Sequence, residues 1–459
     1  MRINQVSLIA VAAATAISTP AQAQDASAMQ AEIEAMRAQM QAMAARIDVL
    51  EDQLVVAEAK ADAATTAASA ATETSGTALA AANEAKSDTT VKWKGAPLIE
   101  GKGGWSFKPR GRLQYDAGFT NAPDIDGRED GFGNEARRIR LGVEGDVPGG
   151  FGYKFEADFA GNEVEIADAM ITYEDGGLKV AAGQQNNFQS MEELTSSRFT
   201  SFIERAAFTD AFNFERRVGL SASVAAGDVL VQGGLFTDNM EELSNKQWGA
   251  DGRVVFMPKM GNTQLHLGGS VHYTELDKEN LSVRYRQRPL VHFTSNRYID
   301  TGAYLATSET GYGLEAAAIN GPFHFAGEAF WQKSARPGLS DPTFFGGYAE
   351  VGYFLTGGDS RGYKKGIFDR VKPSNPVDEG GIGAVQINVR YDRLDLNDST
   401  IAGGTQDGYL VSLIWTPTDY TRLMMNYGRL EYTDAALVAA GGDTSYGVDA
   451  FGVRAQIDF

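Results

Sequence analysis

Residues 447–459 read GVDAFGVRAQIDF, and from Phe451 onward they alternate. Phe451, Val453, Ala455, Ile457 and the terminal Phe459 share one parity, and Gly452, Arg454, Gln456 and Asp458 share the other. A strand sends successive side chains to opposite faces, so one face here is apolar and the other polar. Lipid on one side and water on the other demand that pattern, and bacterial outer-membrane barrels close on such a strand with a terminal aromatic. A soluble sandwich strand can carry the same alternation. The rest of the chain decides between them.

The alternation recurs along the chain. Phe107, Gly111, Leu113, Tyr115 and Ala117 oppose Lys108, Arg110, Arg112, Gln114 and Asp116. Phe151, Tyr153, Phe155, Ala157 and Phe159 oppose Lys154, Glu156 and Asp158, while Val385, Ile387, Val389 and Tyr391 oppose Gln386, Asn388, Arg390 and Asp392. Short turns at 146–150, 174–177, 226–228, 320–322 and 416–419 separate such strands from long polar loops at 121–135, 185–215 and 433–446. Short turns at one rim and long loops at the other are the asymmetry of a transmembrane barrel. No second set of elements is available to cover the repeated apolar face, and lipid is the simplest cover. The reading is an all-β transmembrane β-barrel over 105–459, of 16 strands or 18, preceded by an N-terminal α-helical coiled coil.

Composition agrees. The 459 residues include 52 glycines and 10% aromatics, a strand-and-turn texture, and carry a formal net charge of -19, which argues against a nucleic-acid partner. The absence of cysteine removes disulfides and thiolate chemistry. No cofactor or metal site is expected. Residues 1–23 form a secretory signal: Arg2, an apolar stretch from Val6 to Ile17, then Ala21-Gln22-Ala23. Over 24–90 the composition turns to Ala, Glu, Gln and Met. Met29, Ile33, Met36, Met40, Met43, Ile47, Leu50 and Leu54 follow steps of four and three, an a/d seam that predicts a self-associating periplasmic coiled coil. A single amphipathic helix packed on its own protein is the other reading. Residues 91–104 read as a linker.

A barrel of this size encloses water, so the polar parity lines a conduit. Lys108, Arg110 and Arg112 make one cationic column, Arg138 and Arg140 a second, and Arg284, Arg286 and Arg288 a third; Arg390, Arg422 and Arg454 add single charges. Arginine and lysine rings favour anions where a low-dielectric wall focuses their field. Asp116, Glu144, Glu156, Asp158, Glu328 and Glu350 offset them, and acidic residues gathered in exposed loops would reconcile cationic columns with the acidic total. Residues 185–215 form a loop too long and too apolar to stand free in water. The expectation is that it dips into the lumen, bringing Arg198 and Arg205 to the constriction while Glu192, Glu193 and Glu204 pin it to wall arginines. An outward loop at a subunit interface is the alternative.

The chain resembles the phosphate-selective porin family, the porins O and P, over nearly all of 105–459. The matching stretches are Gly111-Arg112-Leu113-Gln114, Arg137-Arg138-Ile139-Arg140-Leu141-Gly142, Glu192-Glu193-Leu194-Thr195-Ser196-Ser197-Arg198-Phe199, Asn388-Val389-Arg390-Tyr391-Asp392-Arg393-Leu394-Asp395-Leu396 and the end of the chain. The resemblance implies a homotrimer of 16-stranded barrels with an infolded third loop, and anion passage past Arg112, Arg137 and Arg138. By parity Arg137 falls among the lipid-facing residues, so a lumen position requires a local bulge or twist. Where the family tends to carry a lysine ahead of the Phe opening the third loop, this chain has Gln184-Gln185-Asn186-Asn187-Phe188, a departure that bears on phosphate.

The function expected is therefore an outer-membrane porin for passive diffusion of small hydrophilic solutes, preferring anions such as phosphate. The alternative is a general non-selective porin with an envelope-tethering role. Expected partners are outer-membrane lipid, two further copies of the chain, peptidoglycan through the coiled coil, and the barrel-assembly machinery at the C-terminal strand. Catalysis is not expected: the four histidines, His266, His272, His292 and His324, suggest no assignable catalytic set.

Overall fold

The computed structural model describes residues 26–84, 89–242 and 246–459. The proposed signal at 1–23 lies outside them. Two compact units separate at Ser87 and Asp88. The first contains helix α1 (Ala26–Glu84), whose seam residues Met40, Ile47, Leu50 and Leu54 are exposed on the single chain. No helix among the described residues is long and apolar enough to cross a membrane.

In the second unit sixteen antiparallel strands close into a barrel. They are β1 (Ser106–Asn121), β2 (Gly131–Val147), β3 (Phe151–Asp158), β4 (Glu165–Asp175), β5 (Leu178–Asn186), β6 (Arg216–Ala226), β7 (Val229–Phe236) and β8 (Trp248–Phe256). Then come β9 (Thr263–Glu275), β10 (Ser308–Asn320), β11 (Phe323–Ala335), β12 (Thr343–Phe354), β13 (Ala384–Asp398), β14 (Ile401–Thr418), β15 (Thr421–Thr433) and β16 (Tyr446–Asp458). Every strand pairs with its sequence neighbours, and β16 pairs with β1 from Asp449↔Asn121 to Asp458↔Arg112. Closure leaves no unpaired edge, which hydrocarbon requires.

The alternation in 447–459 is realised as expected. Phe451, Ile457 and Phe459 face outward and stay exposed, while Arg454 and Asp458 are buried inside. Phe459 exchanges backbone hydrogen bonds with Gly111 at 3.0 and 3.1 Å, and its ring lies where a Gly111 side chain would stand. Further along the seam Gly118 faces Gly452, and a Cβ on Gly118 would meet the Phe451 carbonyl oxygen at 2.1 Å. Glycine there is a packing requirement.

The short turns and both barrel ends share one rim, which the barrel asymmetry makes periplasmic. Two features of that rim differ from the sequence reading. The stretch read as a linker forms a hairpin, Thr90–Trp93 against Pro97–Glu100, which joins β1 through Ile99↔Phe107. Between β12 and β13, residues 355–383 form an insert with its own two-stranded hairpin, Gly362–Lys364 against Ile367–Asp369. At the opposite rim, residues 276–307 carry two more small hairpins, Ser282–Val283 with Tyr304–Leu305 and Arg286–Gln287 with Ile299–Asp300.

The barrel interior is divided. On β10 to β16 many inward positions are apolar: Phe330, Phe344, Tyr348, Leu394, Leu410, Ile414, Met424 and Leu430 are buried in one cluster with loop residues. On β3 to β7 the inward positions are mostly polar. That asymmetry decides where water runs.

Candidate functional site

Residues 187–215, the third loop, fold into the lumen and cover the apolar arc of the wall. The loop carries two short helices, α2 (Met191–Leu194) and α3 (Ala207–Ala211). Phe208 lies parallel to Phe330 at 5.9 Å and to Tyr348 at 6.5 Å, and Phe214 meets Phe330 edge-on at 4.8 Å. Such ring pairs contribute about 0.5–1.5 kcal/mol each beyond area burial. A Cβ on Gly346 would stand 2.3 Å from the Phe208 Cβ, so the wall is hollowed where the loop seats.

Wall side chains hold the loop backbone along its length. The Glu328 carboxylate accepts from the Met191 N–H at 3.0 Å, the Glu192 N–H at 2.7 Å and the Ser190 hydroxyl at 2.8 Å. Asp392 accepts from the Ala207 N–H at 3.0 Å and Asn426 from the Ile203 N–H at 3.0 Å. Arg422 donates to the carbonyls of Arg198 and Thr200 at 3.0 and 2.6 Å, and Ser412 to that of Ser201 at 2.7 Å. Glu192 pairs with Arg390 at 2.9 Å, and Glu204 pairs with Arg137 at 2.8 Å and Arg454 at 3.0 Å. These are the wall pins expected of Glu192 and Glu204. Glu193 is a correction: its partner at 3.4 Å is Arg205 of the same loop, whose guanidinium also donates to the carbonyls of Glu192, Glu193 and Thr195. The helical turn places those carbonyls inward, so Arg205 braces the loop from within. Burial pushes the Glu193 carboxyl above its ordinary value against the pull of Arg205.

The periplasmic insert meets the loop from below. Arg361 donates to the Phe199 carbonyl, the Phe368 N–H donates to Thr195 Oγ1 at 3.3 Å, and Arg253 donates to the Gly366 carbonyl at 2.8 Å. What remains open is a cavity of about 660 Å³ along β1 to β7. Arg110, Arg112, Arg137, Arg138, Arg140, Arg198, Arg205 and Arg288 all line it, as do Lys154, Lys179 and Arg216. Nine carboxylates line it as well, among them Glu156, Asp158, Asp168 and Glu204.

The basic cluster of the cavity wall sits on β1 and β2. The ladder runs Gln114↔Arg138, then Tyr115↔Ala136, leaving Arg137 as an extra residue. This β-bulge turns both Arg137 and Arg138 inward, as the adjacent basic pair required. Arg112 and Arg140 are register partners, and like charges opposed across a ladder repel. Glu156 lies 3.5 Å from Arg112 and 3.2 Å from Arg140, and Asp158 lies 2.7 Å from Arg140. Arg138 has no carboxylate within ion-pair distance among the described residues; it donates to Gln114 at 3.0 Å. The Arg112 Nε is buried without a partner.

Three site expectations are corrected: the column at 284–288, Lys108 and Arg390. Arg284, Arg286 and Arg288 do not form a column on a barrel strand: they lie in the outer-rim segment 276–307. Their alternation is real, but its apolar side, Tyr285, packs on Phe212 at 5.4 Å and Phe344 at 5.4 Å instead of on lipid. Arg284 and Arg286 are exposed, Arg284 pairing with Asp300 at 2.5 Å, while Arg288 reaches the cavity mouth opposite Asp210 at 3.6 Å. Lys108 lies on β1 below the cavity lining, with Glu144 as its register partner. Arg390 is buried between Glu192 and Glu350, 2.9 and 2.6 Å away, beneath Phe202 and Tyr348, and does not reach the water. The apolar inward residues Phe330, Phe344 and Tyr348 were the missed signal, because they break the polar parity where a loop must dock.

Asp251, His272 and Thr274 stand in a row in the wall, with His272 Nε2 2.9 Å from Thr274 Oγ1. The Thr274 hydroxyl is fully buried and accepts from Arg217 at 2.9 Å. This row ties two strands together. Among the described residues no group of three or more potential ligands is placed to hold a metal ion.

A closed barrel with an outward apolar face and an arginine-lined aqueous path is an outer-membrane channel. The family model "Phosphate-selective porin O and P" matches residues 107–459, and the chain belongs to that family. An uncharacterized protein of Caulobacter vibrioides is 47% identical over 391 residues, covering 82% of this chain and 79% of that protein. Among solved structures, OmpT of Vibrio cholerae matches with TM-score 0.51 at 12% identity over 79% of this chain and 100% of its own. OprB of Pseudomonas putida matches with TM-score 0.50 at 13% identity over 78% of this chain and 94% of its own. These likenesses concern the fold.

Proposed function

We propose that the channel passes small hydrophilic solutes by diffusion and prefers anions, with inorganic phosphate among those it accepts. One observation carries this reading. Arg138, buried in the wall, borders the cavity with no carboxylate within ion-pair distance among the described residues, beside the opposed pair Arg112 and Arg140. An anion passing there relieves like-charge repulsion that Glu156 and Asp158 offset only in part. The family's description supports the same direction. No cation stands at Gln184-Gln185-Asn186-Asn187, where Gln184 bonds the Ile166 carbonyl at 2.5 Å and Gln185 accepts from Ser221 at 2.6 Å, so phosphate is proposed as one accepted anion and not as the anion selected over others. Planar-bilayer conductance in chloride, phosphate and a bulky organic anion tests it. Anion-over-cation permeability with phosphate conducted is expected; equal permeability refutes it.

Non-selective passage with tethering is the second reading, favoured by the near balance of eleven cationic and nine acidic lining residues. The exposed seam of α1 supports a three-chain periplasmic stem in either case, with cell-wall attachment as its role. The outward apolar face of β16, with Phe451, Ile457 and Phe459 exposed, supports recognition by the assembly machinery. Deleting residues 24–90 should leave conductance intact and weaken envelope attachment; lost conductance would contradict a separate stem.

A further inference from the structure

The cavity is stratified by charge. At its outer mouth Glu165, Asp210, Glu215 and Glu241 line the cavity beside Arg288 and His292, with Arg217 acting on Glu215. Each sits at the outer rim or on the loop strand descending from it: Glu165 opens β4, Glu241 lies between β7 and β8, and Glu215 immediately precedes β6. Crowding by protein atoms, then Asp238, Glu242 and Glu309, push the Glu215 carboxyl above its ordinary value against Arg217. Asp238 is raised too, by lost hydration and then by Glu242 and Asp277. Among the residues lining this end of the cavity the carboxylates outnumber the arginines.

Deeper in the same cavity the balance reverses. The belt of Arg112, Arg138 and Arg140 holds a buried, unpartnered guanidinium nitrogen on Arg112, and among the described residues Arg138 has no ion-pair partner. A simple anion meets opposing charge at the mouth before the belt attracts it, and its passage is slowed there. A simple cation is drawn to the mouth and stopped below it.

We propose that the solute class this conduit favours is the zwitterion, an acid group for the arginine belt carried with an ammonium group for the acidic mouth. The proposal rests on the anion-preferring reading of the belt and refines it. With the acid group leading, both charges are opposed by complementary ones along one path, and no counter-ion need accompany the solute. The chain's acidic total and its cationic belt are then parts of one device.

The test compares taurine with ethanesulfonate, the same skeleton without the ammonium group, in proteoliposomes of the full chain. Wild type should pass taurine roughly fivefold faster. The combined variant Glu165→Gln, Asp210→Asn, Glu215→Gln and Glu241→Gln should abolish that preference and move the KCl reversal potential further toward anions. Glu241→Gln alone, in an exposed loop, should give part of the effect should the combined variant not insert. Equal or faster ethanesulfonate flux in wild type overturns the proposal, as does a taurine preference that survives neutralisation. A failed belt reading shows differently: Arg138→Gln would leave KCl selectivity unchanged whatever the two sulfonates do.

Discussion

Replacing Arg138 with Gln removes one full charge from the cationic part of the cavity lining and leaves the fold's ties in place. Among the described residues Arg138 makes no ion pair, and its bond to Gln114 can be kept by an amide. At contact distance in water, one charge alters an ion's energy by about 1 kcal/mol. The change has opposite sign for anions and cations, so the permeability ratio feels about 2 kcal/mol before screening. Salt at ~0.1 M has a Debye length of about 10 Å, so contact-range interactions persist. We expect the anion/cation permeability ratio to fall roughly tenfold, since about 1.4 kcal/mol corresponds to that factor. The assay is the reversal potential across a planar bilayer in a tenfold KCl gradient. Arg284→Gln is the control: that residue is exposed on the outer segment and pairs with Asp300, so selectivity should not move. Should Arg138→Gln leave the ratio within twofold of wild type, the belt does not select. Arg140→Gln should act more strongly, because it leaves Asp158 and Glu156 facing the water with one partner fewer.

Gly118→Ala should impair closure, because its Cβ would meet the Phe451 carbonyl at 2.1 Å across the β16–β1 seam. Overpacking of that kind costs about 1–3 kcal/mol, read as a lower fraction of the heat-modifiable folded form on gels. Gly346→Val should unseat Phe208 and free the third loop, giving larger or noisier single-channel conductance while the barrel itself keeps its folded mobility. Anion preference should rise as pH falls. Glu215 and Asp238 have raised pKa values, so they gain protons before ordinary carboxylates do and the mouth loses negative charge first. The rise should persist in a His292→Gln background, which removes the mouth imidazole that pairs with Glu135 at 2.8 Å, and should disappear in Glu215→Gln combined with Asp238→Asn.

Alternation carried most of the fold. Period two is a property of the strand itself, so the outward faces of Phe107, Phe155, Val389 and Phe451 were readable without any partner. The bulge at Arg137 was readable for the same reason: two adjacent basic residues cannot both face inward on a regular strand. Parity does not say what stands across the lumen. Arg390 points inward as read, yet its partner Glu192 is 198 residues away, and only the seated loop reveals that the pair is buried. Arg284 to Arg288 show the reverse limit. A short hairpin at the mouth alternates just as a wall strand does, and its apolar face covers loop aromatics. The insert at 355–383 was missed because its two strands are three residues each, too short for a periodic signal.

The central claim is that water runs along β6 and β7 on one face and lipid on the other. The chain has no native cysteine, so single substitutions report accessibility cleanly. Ser223 and Gln232 line the cavity, while Leu220 and Val231 point outward. A charged, membrane-impermeant thiol reagent applied to the reconstituted channel should label Ser223→Cys and Gln232→Cys and change their conductance, leaving Leu220→Cys and Val231→Cys unmodified. Labelling at the outward pair with protection of the inward pair would contradict the account.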